Sequence, residues 1–322
     1  MTAEYEAQDV EVRKLGNSSI EASAVGLGCN NFGGRMPNIG PVRAVVHRAL
    51  DLGVTLFDTA DIYGSRGRSE ELLGEALGPR RKDVVLATKF GMPMSDSARP
   101  RDASRAYIMK AVEASLKRLN TDWIDLYQVH RPDPKTPADE TLRALDDLVK
   151  QGKVRATGCS NYSAAEIEDA QDAAESAKVT SFATAQDEYS LLARGIERGL
   201  IPAMQESGMS LLPYFPLASG LLTGKYRRNA APPKNARLSY SKDHASDFIS
   251  ARNWTLVEKL EAVAQESGHS MLELAFGWLL AKPVIGSVIA GATRPEQIEQ
   301  NVAAAERRPP PAVLAEIDAI TR

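Results

Sequence analysis

Short apolar runs alternate with helical segments from residue 24 to residue 304, and this alternation constrains the fold more than any other feature. The runs predict eight strands at 24–28, 54–58, 83–89, 123–129, 153–158, 182–186, 209–214 and 285–290. The segments between and after them predict eight helices that start near residues 41, 68, 104, 137, 163, 196, 251 and 294. Continuous apolar runs are typical of parallel strands covered by helices on both faces. Eight such repeats predict an α/β fold of the (β/α)8 or TIM barrel type.

Several helix ends carry recognisable signals. Thr136-Pro137 indicates a capping residue followed by proline at the first helical position. Ser163–Glu166 and Thr293–Glu296 both have the capping-box spacing. These signals support the predicted helix starts near 137, 163 and 294.

The remaining segments extend a single barrel domain, predicted over 11–322, behind a flexible polar N-terminus at 1–10. Residues 12–22 predict a hairpin that plugs the floor of the barrel. The long polar stretch 226–250 predicts a lid or a disordered loop. Two extra C-terminal helices are predicted over 271–281 and 313–320.

Composition excludes several classes of protein. The 322 residues are 43% hydrophobic, enough for one large core, and the net charge is −3 without a basic block that would indicate nucleic-acid binding. No apolar run approaches the roughly 18 residues of a membrane helix. The N-terminus lacks the apolar region of a secretory signal, which predicts a cytoplasmic protein. Cys29 and Cys159 form no C-x-x-C pair, so they are interpreted as small buried thiols in a reducing compartment.

Four polar residues stand where predicted strands end. Asp58, Lys89 and His130 close three of the apolar runs, and Tyr63 follows Asp58 by five residues. Taken singly, they could be a turn cap, a rim lysine, a satisfied core histidine and a loop tyrosine. Because the carboxyl ends of parallel strands converge on one rim, their joint placement instead predicts an active site.

The residue types predict acid–base chemistry at a carbonyl. Tyrosine is a proton donor at neutral pH, and a cation such as Lys89 beside it would make Tyr63 a better acid. Asp58 would hold the ammonium in place, while His130 would bond a substrate oxygen or share in proton transfer. Such a site donates a proton to a carbonyl oxygen as it becomes an alkoxide. It supplies no hydride and predicts no metal, so nicotinamide is the expected reductant.

Other residues on the rim suit a dinucleotide. Asn161 and Gln186 have amides that pair with a carboxamide, and Tyr214 offers a flat face to a heteroaromatic ring. The segment 217–225 has glycines and a lysine suited to a pyrophosphate, and 291–294 opens the last barrel helix, where its amides can bind a further phosphate. Rossmann and P-loop readings of the glycines at 26–28 and 220–224 fail on spacing.

Together these residues resemble the aldo-keto reductase superfamily, in its bacterial and potassium-channel-β-like branches. The segments that carry the resemblance are 26–30, 56–64, 87–91, 125–130, 158–162 and 220–226, within a similarity that runs from about residue 11 to residue 304.

The resemblance implies NADPH or NADP+ bound across the rim and hydride transfer to or from an aldehyde or ketone, with Tyr63 as the acid. The implied catalytic residues are Asp58, Tyr63, Lys89 and His130. The implied cofactor contacts are Gly28, Asn30, Asp58, Ser160, Asn161, Gln186, Tyr214, Leu217, Ser219, Gly220, Lys225, Gly291, Thr293, Arg294, Gln297 and Asn301. Gly291 and Gln297 stand where animal-type members carry lysine and arginine, which leaves NADH open, with Arg294 as a candidate to compensate.

Two other functions and the type of substrate can also be considered from the sequence. A nucleotide-sensing regulatory subunit would keep a similar tetrad, so the tetrad does not separate it from an enzyme. A metal-dependent hydrolase is disfavoured because His47, His244 and His269 fall on helix or loop segments. The predicted substrate pocket suits bulky apolar or aromatic carbonyls and comprises Phe32, Met36, Tyr63, Phe90, Met92, His130 and the 226–250 loop. The only partner predicted is a small carbonyl or alcohol, and association into a homo-oligomer stays open.

Overall fold

The computed structural model describes residues 10–234, 236–239 and 248–322. Nearly all of the predicted flexible N-terminus (1–10), His244 and part of the predicted loop 226–250 therefore lie outside the described residues. The chain from 10 onward otherwise follows the predicted alternation of strands and helices closely.

The strands are β1 Val12–Lys14, β2 Glu21–Ser23, β3 Val25–Gly28, β4 Leu56–Asp58, β5 Val85–Phe90, β6 Ile124–Val129, β7 Val154–Ser160, β8 Thr184–Gln186, β9 Ser210–Leu211 and β10 Val288–Gly291. The α-helices are α1 Ile39–Asp51, α2 Tyr63–Leu77, α3 Arg105–Leu119, α4 Ala138–Lys150, α5 Ala164–Ala177, α6 Leu200–Glu206, α7 Ala251–Ser267, α8 Met271–Leu280, α9 Pro295–Glu306 and α10 Pro311–Thr321. Short 3-10 helices occupy Gly78–Asp83, Gly195–Arg198, Ala218–Thr223 and Arg237–Ser239. The helices α8 and α10 confirm the two extra C-terminal helices.

Strands β3 to β10 form one parallel sheet in the order β10-β3-β4-β5-β6-β7-β8-β9. Leu211 of β9 closes the circle, since its amide donates to the carbonyl of Val284 at 2.7 Å and its carbonyl accepts from the amide of Gly286 at 2.9 Å. The (β/α)8 barrel prediction is therefore confirmed. Because the eight strands are parallel, their carboxyl ends all lie at the same rim of the barrel.

The floor of the barrel is closed by the β1–β2 hairpin, as predicted. Leu15, Ile20 and Ala22 of the hairpin join the apolar cluster inside the barrel. The barrel strands contribute Leu56, Val85, Ala87, Leu126, Ala156, Ala183, Leu212 and Ile289 to the same cluster. The opposite faces of the strands pack against the helices in a larger core. Alternation of side chains along each strand produces these two layers.

Several strands are shorter than predicted, and the difference is largest for β9. The predicted strand 209–214 is reduced to Ser210–Leu211. Pro213 follows two residues later, and proline has no amide hydrogen to continue a sheet ladder. The predicted strand 285–290 begins regular pairing only at Val288, after Ile285 has made an isolated bridge to β9.

One of the three predicted helix caps is confirmed and two are wrong. The capping box of Ser163 and Glu166 is confirmed. Thr136 is not a cap, because α4 begins after Pro137 and the Thr136 hydroxyl donates instead to Asp133 at 2.7 Å. The predicted box Thr293–Glu296 is also wrong. Helix α9 starts at Pro295, which places Gln297 at the third position, and the Gln297 side chain accepts from the Thr293 amide at 2.7 Å.

Candidate active site

The turn after β4 brings Tyr63 back over the barrel. Residues 64 to 67 have φ angles between 64° and 118°, so regular helix begins at Arg68, near the predicted start. Left-handed backbone of this kind favours glycine, which occupies positions 64 and 67. The bend holds Tyr63 at the entrance of α2, directly above the strand ends.

Lys89 is the centre of the polar layer at the rim. Its side chain is fully buried, and its ammonium donates to Asp58 Oδ2 at 2.6 Å and to the Thr59 carbonyl at 2.9 Å. The other oxygen of Asp58 accepts from the side-chain amides of Gln186 at 2.9 Å and Gln128 at 3.3 Å. A buried ion pair requires such additional hydrogen bonds to offset the cost of desolvation.

The ion pair keeps Lys89 charged. Burial is the largest single effect and would lower the pKa of Lys89, but the Asp58 carboxylate and Tyr63 together outweigh it and hold the pKa above its ordinary value. The lysine is therefore an ammonium throughout the neutral range, and its charge lies beneath Tyr63.

Tyr63 lies next to both Lys89 and His130. The Lys89 ammonium is 5.2 Å from the centre of the Tyr63 ring, and the rings of Tyr63 and His130 meet edge to face with centroids 5.6 Å apart. Burial raises the pKa of Tyr63 and the Asp58 charge adds to this effect, while Lys89 lowers it. The net pKa lies above the ordinary value, contrary to the expectation that the cation would dominate. Tyr63 is consequently a protonated phenol at neutral pH.

His130 is a neutral imidazole. Burial lowers its pKa to about 3, and the positive charges of Lys89, Arg131 and Arg101 act in the same direction. Its Nδ1 atom is buried and has no hydrogen-bond partner in the part of the chain that the structure describes. Of the two roles predicted for His130, hydrogen bonding to a substrate oxygen fits this state, and proton donation by an imidazolium does not.

A cavity of about 1530 Å³ opens above this layer and runs along the rim. Tyr63, Asp58 and His130 line it, whereas Lys89 lies beneath its surface. All the predicted cofactor contacts line the same cavity: Gly28, Asn30, Asp58, Ser160, Asn161, Gln186, Tyr214, Leu217, Ser219, Gly220, Lys225, Gly291, Thr293, Arg294, Gln297 and Asn301. The structure thus brings together residues from both ends of the chain, and their contact with a cofactor stays a prediction.

The polar groups nearest Tyr63 and His130 form a preassembled network. The Asn161 amide donates to the His130 carbonyl at 3.0 Å and accepts from the Tyr214 hydroxyl at 2.9 Å. The Ser160 hydroxyl donates to the Gln186 carbonyl at 2.8 Å. A carboxamide ligand would share these already bonded groups, which are held in place before it arrives.

The segment 217–225 fits a pyrophosphate. Ser219 and Gly220 have φ angles of 54° and 95°, and the Ser219 hydroxyl is buried without a partner among the described residues. A Cβ atom on Gly220 would lie 2.9 Å from the Lys225 ammonium. The curled backbone, the unsatisfied hydroxyl and the adjacent cation are the groups that bind phosphate oxygens.

Charge in the cavity has the opposite sign to that of the whole protein. The described lining residues include two acids, Asp58 and Glu188, and seven basic side chains, whereas the chain as a whole carries a net charge of −3. The basic side chains are those of Arg35, Arg131, Lys225, Lys234, Arg237, Arg252 and Arg294. Such a cleft attracts anionic ligands.

The predicted substrate walls need correction. Phe90 is fully buried outside the barrel interior, where its ring packs against that of Tyr127 at 4.6 Å. Because Lys89 points inward, its neighbour in β5 must point outward. Phe32 is buried in the core, and Met92 does not line the cavity either. Met36 does line it, and Phe215 and Phe248 supply the aromatic walls.

Four polar residues of the site, Arg35, Gln128, Arg131 and Arg237, were not predicted from the sequence. Gln128 lies on the inner face of β6, two residues after Leu126, and this parity could have identified it. Arg131 directly follows His130 and could have been found by adjacency. Arg35 and Arg237 come from loops, and no local pattern indicates them.

Comparison with known proteins agrees with this geometry. The model of the aldo/keto reductase family matches residues 24–322, nearly the whole chain. The chain belongs to the aldo/keto reductase family. This aldo/keto reductase is 36% identical to aldo-keto reductase YhdN of Bacillus subtilis, over 90% of the chain and 87% of that protein.

Two other relatives of this aldo/keto reductase have different names. It is 33% identical to a probable voltage-gated potassium channel subunit beta of Arabidopsis thaliana, over 97% of the chain and 96% of that protein. It is 32% identical to L-glyceraldehyde 3-phosphate reductase of Escherichia coli K12, over 92% of the chain and 87% of that protein. The family therefore supports an oxidoreductase and leaves the substrate to be determined.

Three further findings concern the described residues of this aldo/keto reductase. None of its described helices has the length and apolar character needed to span a bilayer. Within the described ranges, no three His, Cys, Asp or Glu side chains are arranged to hold a metal ion. Cys29 and Cys159 are both buried free thiols, as predicted.

Proposed function

We propose that this aldo/keto reductase reduces an aldehyde or ketone to the alcohol with NADPH, and catalyses the reverse oxidation with NADP+. The observation that carries the proposal is the buried Lys89–Asp58 ion pair, whose charged atoms are 2.6 Å apart. The pair lies beneath Tyr63, at the bottom of a large basic cleft. A core has no structural need for this pair, since replacing buried ion pairs with apolar residues is often neutral or stabilising.

The chain's own residues supply the acid–base part of the reaction. Tyr63 is the proposed acid that protonates the carbonyl oxygen, and Lys89 stabilises the phenolate that Tyr63 leaves behind. Asp58 holds Lys89, and neutral His130 donates a hydrogen bond to the same oxygen. The nicotinamide, when bound, supplies the hydride.

The charge of the cleft supports NADP(H) over NAD(H). A phosphate monoester carries about −1.5 to −2 at neutral pH, so the phosphorylated dinucleotide brings more negative charge to a cleft rich in arginine and lysine. Arg294 caps the N-terminal end of α9, where helix amides and the helix dipole also favour a phosphate. We assign Arg294 to the phosphate that distinguishes the two cofactors.

The proposal extends to the setting of the reaction. Two buried, unpaired cysteines support a reducing, cytoplasmic setting, and the proposed partner is a small molecule. Neither a nucleic acid nor a membrane is proposed as a partner, since the sequence has no basic block. A homo-oligomer remains compatible with the proposal.

The test is oxidation of NADPH by the purified protein with a panel of aromatic and aliphatic aldehydes and ketones and with aldoses. We expect turnover of several aldehydes, and a higher kcat/KM with NADPH than with NADH. Absence of turnover across the panel would contradict the proposal. Turnover of sugars alone would contradict the apolar or aromatic substrate class predicted from the sequence.

A second candidate is a nucleotide-sensing regulatory subunit with little turnover. The similarity to a probable potassium channel subunit beta over nearly the whole chain favours it. Tight NADP(H) binding, failure on the carbonyl panel and co-purification with a larger partner would together support this candidate over the enzyme.

A further inference from the structure

Two groups of cations can be recognised by the residues whose pKa they lower. Arg35 and Arg294 lie close enough to Lys225 to depress its pKa, after the larger effect of burial. Arg131 and Arg101 lower the pKa of His130, after the larger effects of burial and Lys89. The first group therefore lies beside the proposed phosphate segment 217–225 and the second beside the proposed reaction centre, while Arg237 lies near both Arg35 and Tyr63.

Arg131 is the member of the second group that lines the cavity, and its position follows from the strand before it. It comes directly after His130, at the end of β6, and its side chain is exposed. It makes no hydrogen bond and no ion pair with any residue that the structure describes. Nearby Asp187 is buried, and burial raises its pKa to about 7 while the Arg131 charge lowers it. Glu188 lines the same cavity. The guanidinium therefore faces the space beside His130 and Tyr63.

The charge of the cleft exceeds what the proposed cofactor neutralises. A phosphorylated dinucleotide carries about four negative charges, from its pyrophosphate and its additional phosphate. The described lining has seven basic side chains and two acids, and one of these acids, Asp58, is already paired with Lys89. Positive charge is left over, and Arg131 is the part of it that lies next to His130.

We propose that Arg131 anchors a negatively charged group, a carboxylate or a phosphate ester, on the carbonyl substrate. A guanidinium has a planar fork of donors that binds either group with two hydrogen bonds. The substrate would then be held at two points, with its carbonyl oxygen at Tyr63 and His130 and its anionic end at Arg131. This assignment of a substrate class rests on the proposed reductase function, but binding of the anion does not require turnover.

The first experiment compares substrates that differ only in charge. 4-Carboxybenzaldehyde is paired with 4-carbamoylbenzaldehyde, and glyceraldehyde 3-phosphate is paired with glyceraldehyde. In Arg131→Gln we expect KM for the anionic member to rise about tenfold, the effect of losing one charge-assisted hydrogen bond. KM for the neutral member should change by less than about twofold, and Arg131→Lys should restore part of the preference.

Control variants and salt sharpen the result. Arg143→Gln removes an exposed arginine of α4 that lies outside the cavity, and it should leave both members of each pair unchanged. The substrate pair for which Arg131→Gln abolishes the preference for the anionic member identifies the bound group as a carboxylate or a phosphate. Discrimination should also weaken as ionic strength rises. Equal KM changes for anionic and neutral substrates in Arg131→Gln would overturn the proposal.

A binding measurement separates this proposal from the proposed function. Calorimetric titration of 4-carboxybenzyl alcohol and its neutral amide into the protein, with and without NADP+, needs no turnover. We expect the carboxylate to bind more tightly to the wild type and this advantage to be lost in Arg131→Gln. If no carbonyl is reduced but the advantage is present, the reductase function fails and the anion site stands. If both proteins bind the two ligands alike, the anion site is refuted.

Discussion

The lower and upper levels of the barrel interior are built from the same strands but differ completely in polarity. Leu56, Val85 and Leu126 belong to the apolar cluster over the floor. Asp58 and Lys89 continue the same inner faces toward the rim, and they form a buried ion pair. Residues two apart on a strand lie on the same face. The inner face of these strands therefore changes from apolar side chains to a buried ion pair within two to four residues.

This difference separates stability from chemistry within one core. The lower level removes apolar surface from water and stabilises the fold. The upper level buries charges, and their desolvation offsets most of what the ion pair gains. We infer that the upper level is retained for the reaction, and substitutions in the two levels should therefore fail in different ways.

The largest effect is expected at the proposed acid. Tyr63→Phe should lower kcat by about a thousandfold, within the usual range for loss of general acid catalysis, because the ring is kept and the acidic hydroxyl is removed. Steady-state kinetics measures the loss, while titration of NADPH should give a dissociation constant within about twofold of the wild type. The free energy of unfolding should fall by no more than about 1.5 kcal/mol, the typical contribution of one hydrogen bond, since the ring keeps its packing. Wild-type turnover in this variant would remove Tyr63 from its role.

Lys89→Met should damage both activity and stability. It leaves the Asp58 carboxylate buried without its cation, so we expect kcat to fall by at least about a hundredfold and the free energy of unfolding to fall by about 3 kcal/mol. Denaturant unfolding and kinetics measure the two effects. The double variant Asp58→Asn/Lys89→Met should regain stability but not activity. Recovery of both in the double variant would show that the ion pair is structural only.

Leu126→Ala tests the floor. Removing this side chain from the apolar cluster should cost about 2 to 5 kcal/mol in the free energy of unfolding. We expect kcat below the unfolding temperature to change by less than about threefold, since general packing defects away from the reacting atoms act mainly on stability. A large loss of kcat without loss of stability would contradict the division between the two levels.

Asp61 is a buried acid without the direct pairing that Asp58 has. Burial, with a contribution from Glu70, raises its pKa to about 8. The folded protein then holds a proton on Asp61 that the unfolded chain releases near pH 4, so the stability that Asp61 contributes falls as pH rises from about 4 to about 8. The isosteric change Asp61→Asn removes this dependence. Its stability relative to the wild type should increase by at least about 1 kcal/mol between pH 5 and pH 9 in denaturant titrations, and a constant difference would contradict the shifted pKa.

The smallest effect is expected from titration of His130. Its pKa near 3 means that it takes up no proton between pH 5 and pH 8. The pH profile of kcat/KM should therefore show no ionisation of His130 near 6.5, the ordinary value for histidine. The profile of His130→Gln, with lower absolute rates, should have the same shape over that range. An inflection near 6.5 that disappears in His130→Gln would show that the imidazole titrates during catalysis.

Much of the barrel and its polar layer could be predicted from sequence because both depend on local pattern. Asp58, Lys89 and His130 stand out because each ends an apolar run, and the residues of 217–225 stand out by their glycines. Phe90 was misplaced because hydrophobicity alone does not show which face of a strand a residue occupies. Its neighbour Lys89 fixes that face only once the barrel interior is known.

Other features depend on contacts between residues that are far apart in the sequence, and a local sequence pattern does not show such contacts. The positive cleft is assembled from loops far apart in the chain, and Arg35 and Arg237 meet there only after folding. The pKa of Tyr63 reflects a balance in which burial outweighs a nearby cation, and the sequence shows the cation but not the burial. The start of α9 was predicted correctly, but its capping residues were not, because Gln297 rather than Glu296 completes the first turn.

The most direct test of the proposed reaction is the transfer of deuterium from NADPH labelled at the reactive carbon of its nicotinamide. With an aldehyde that the protein reduces, mass spectrometry of the alcohol from the wild type should show one deuterium on the new carbinol carbon, and Tyr63→Phe should form almost no alcohol in the same time. Unlabelled alcohol from both stereospecifically labelled forms of NADPH, or equal yields of labelled alcohol from the two proteins, would contradict hydride transfer in this cleft with Tyr63 as the acid.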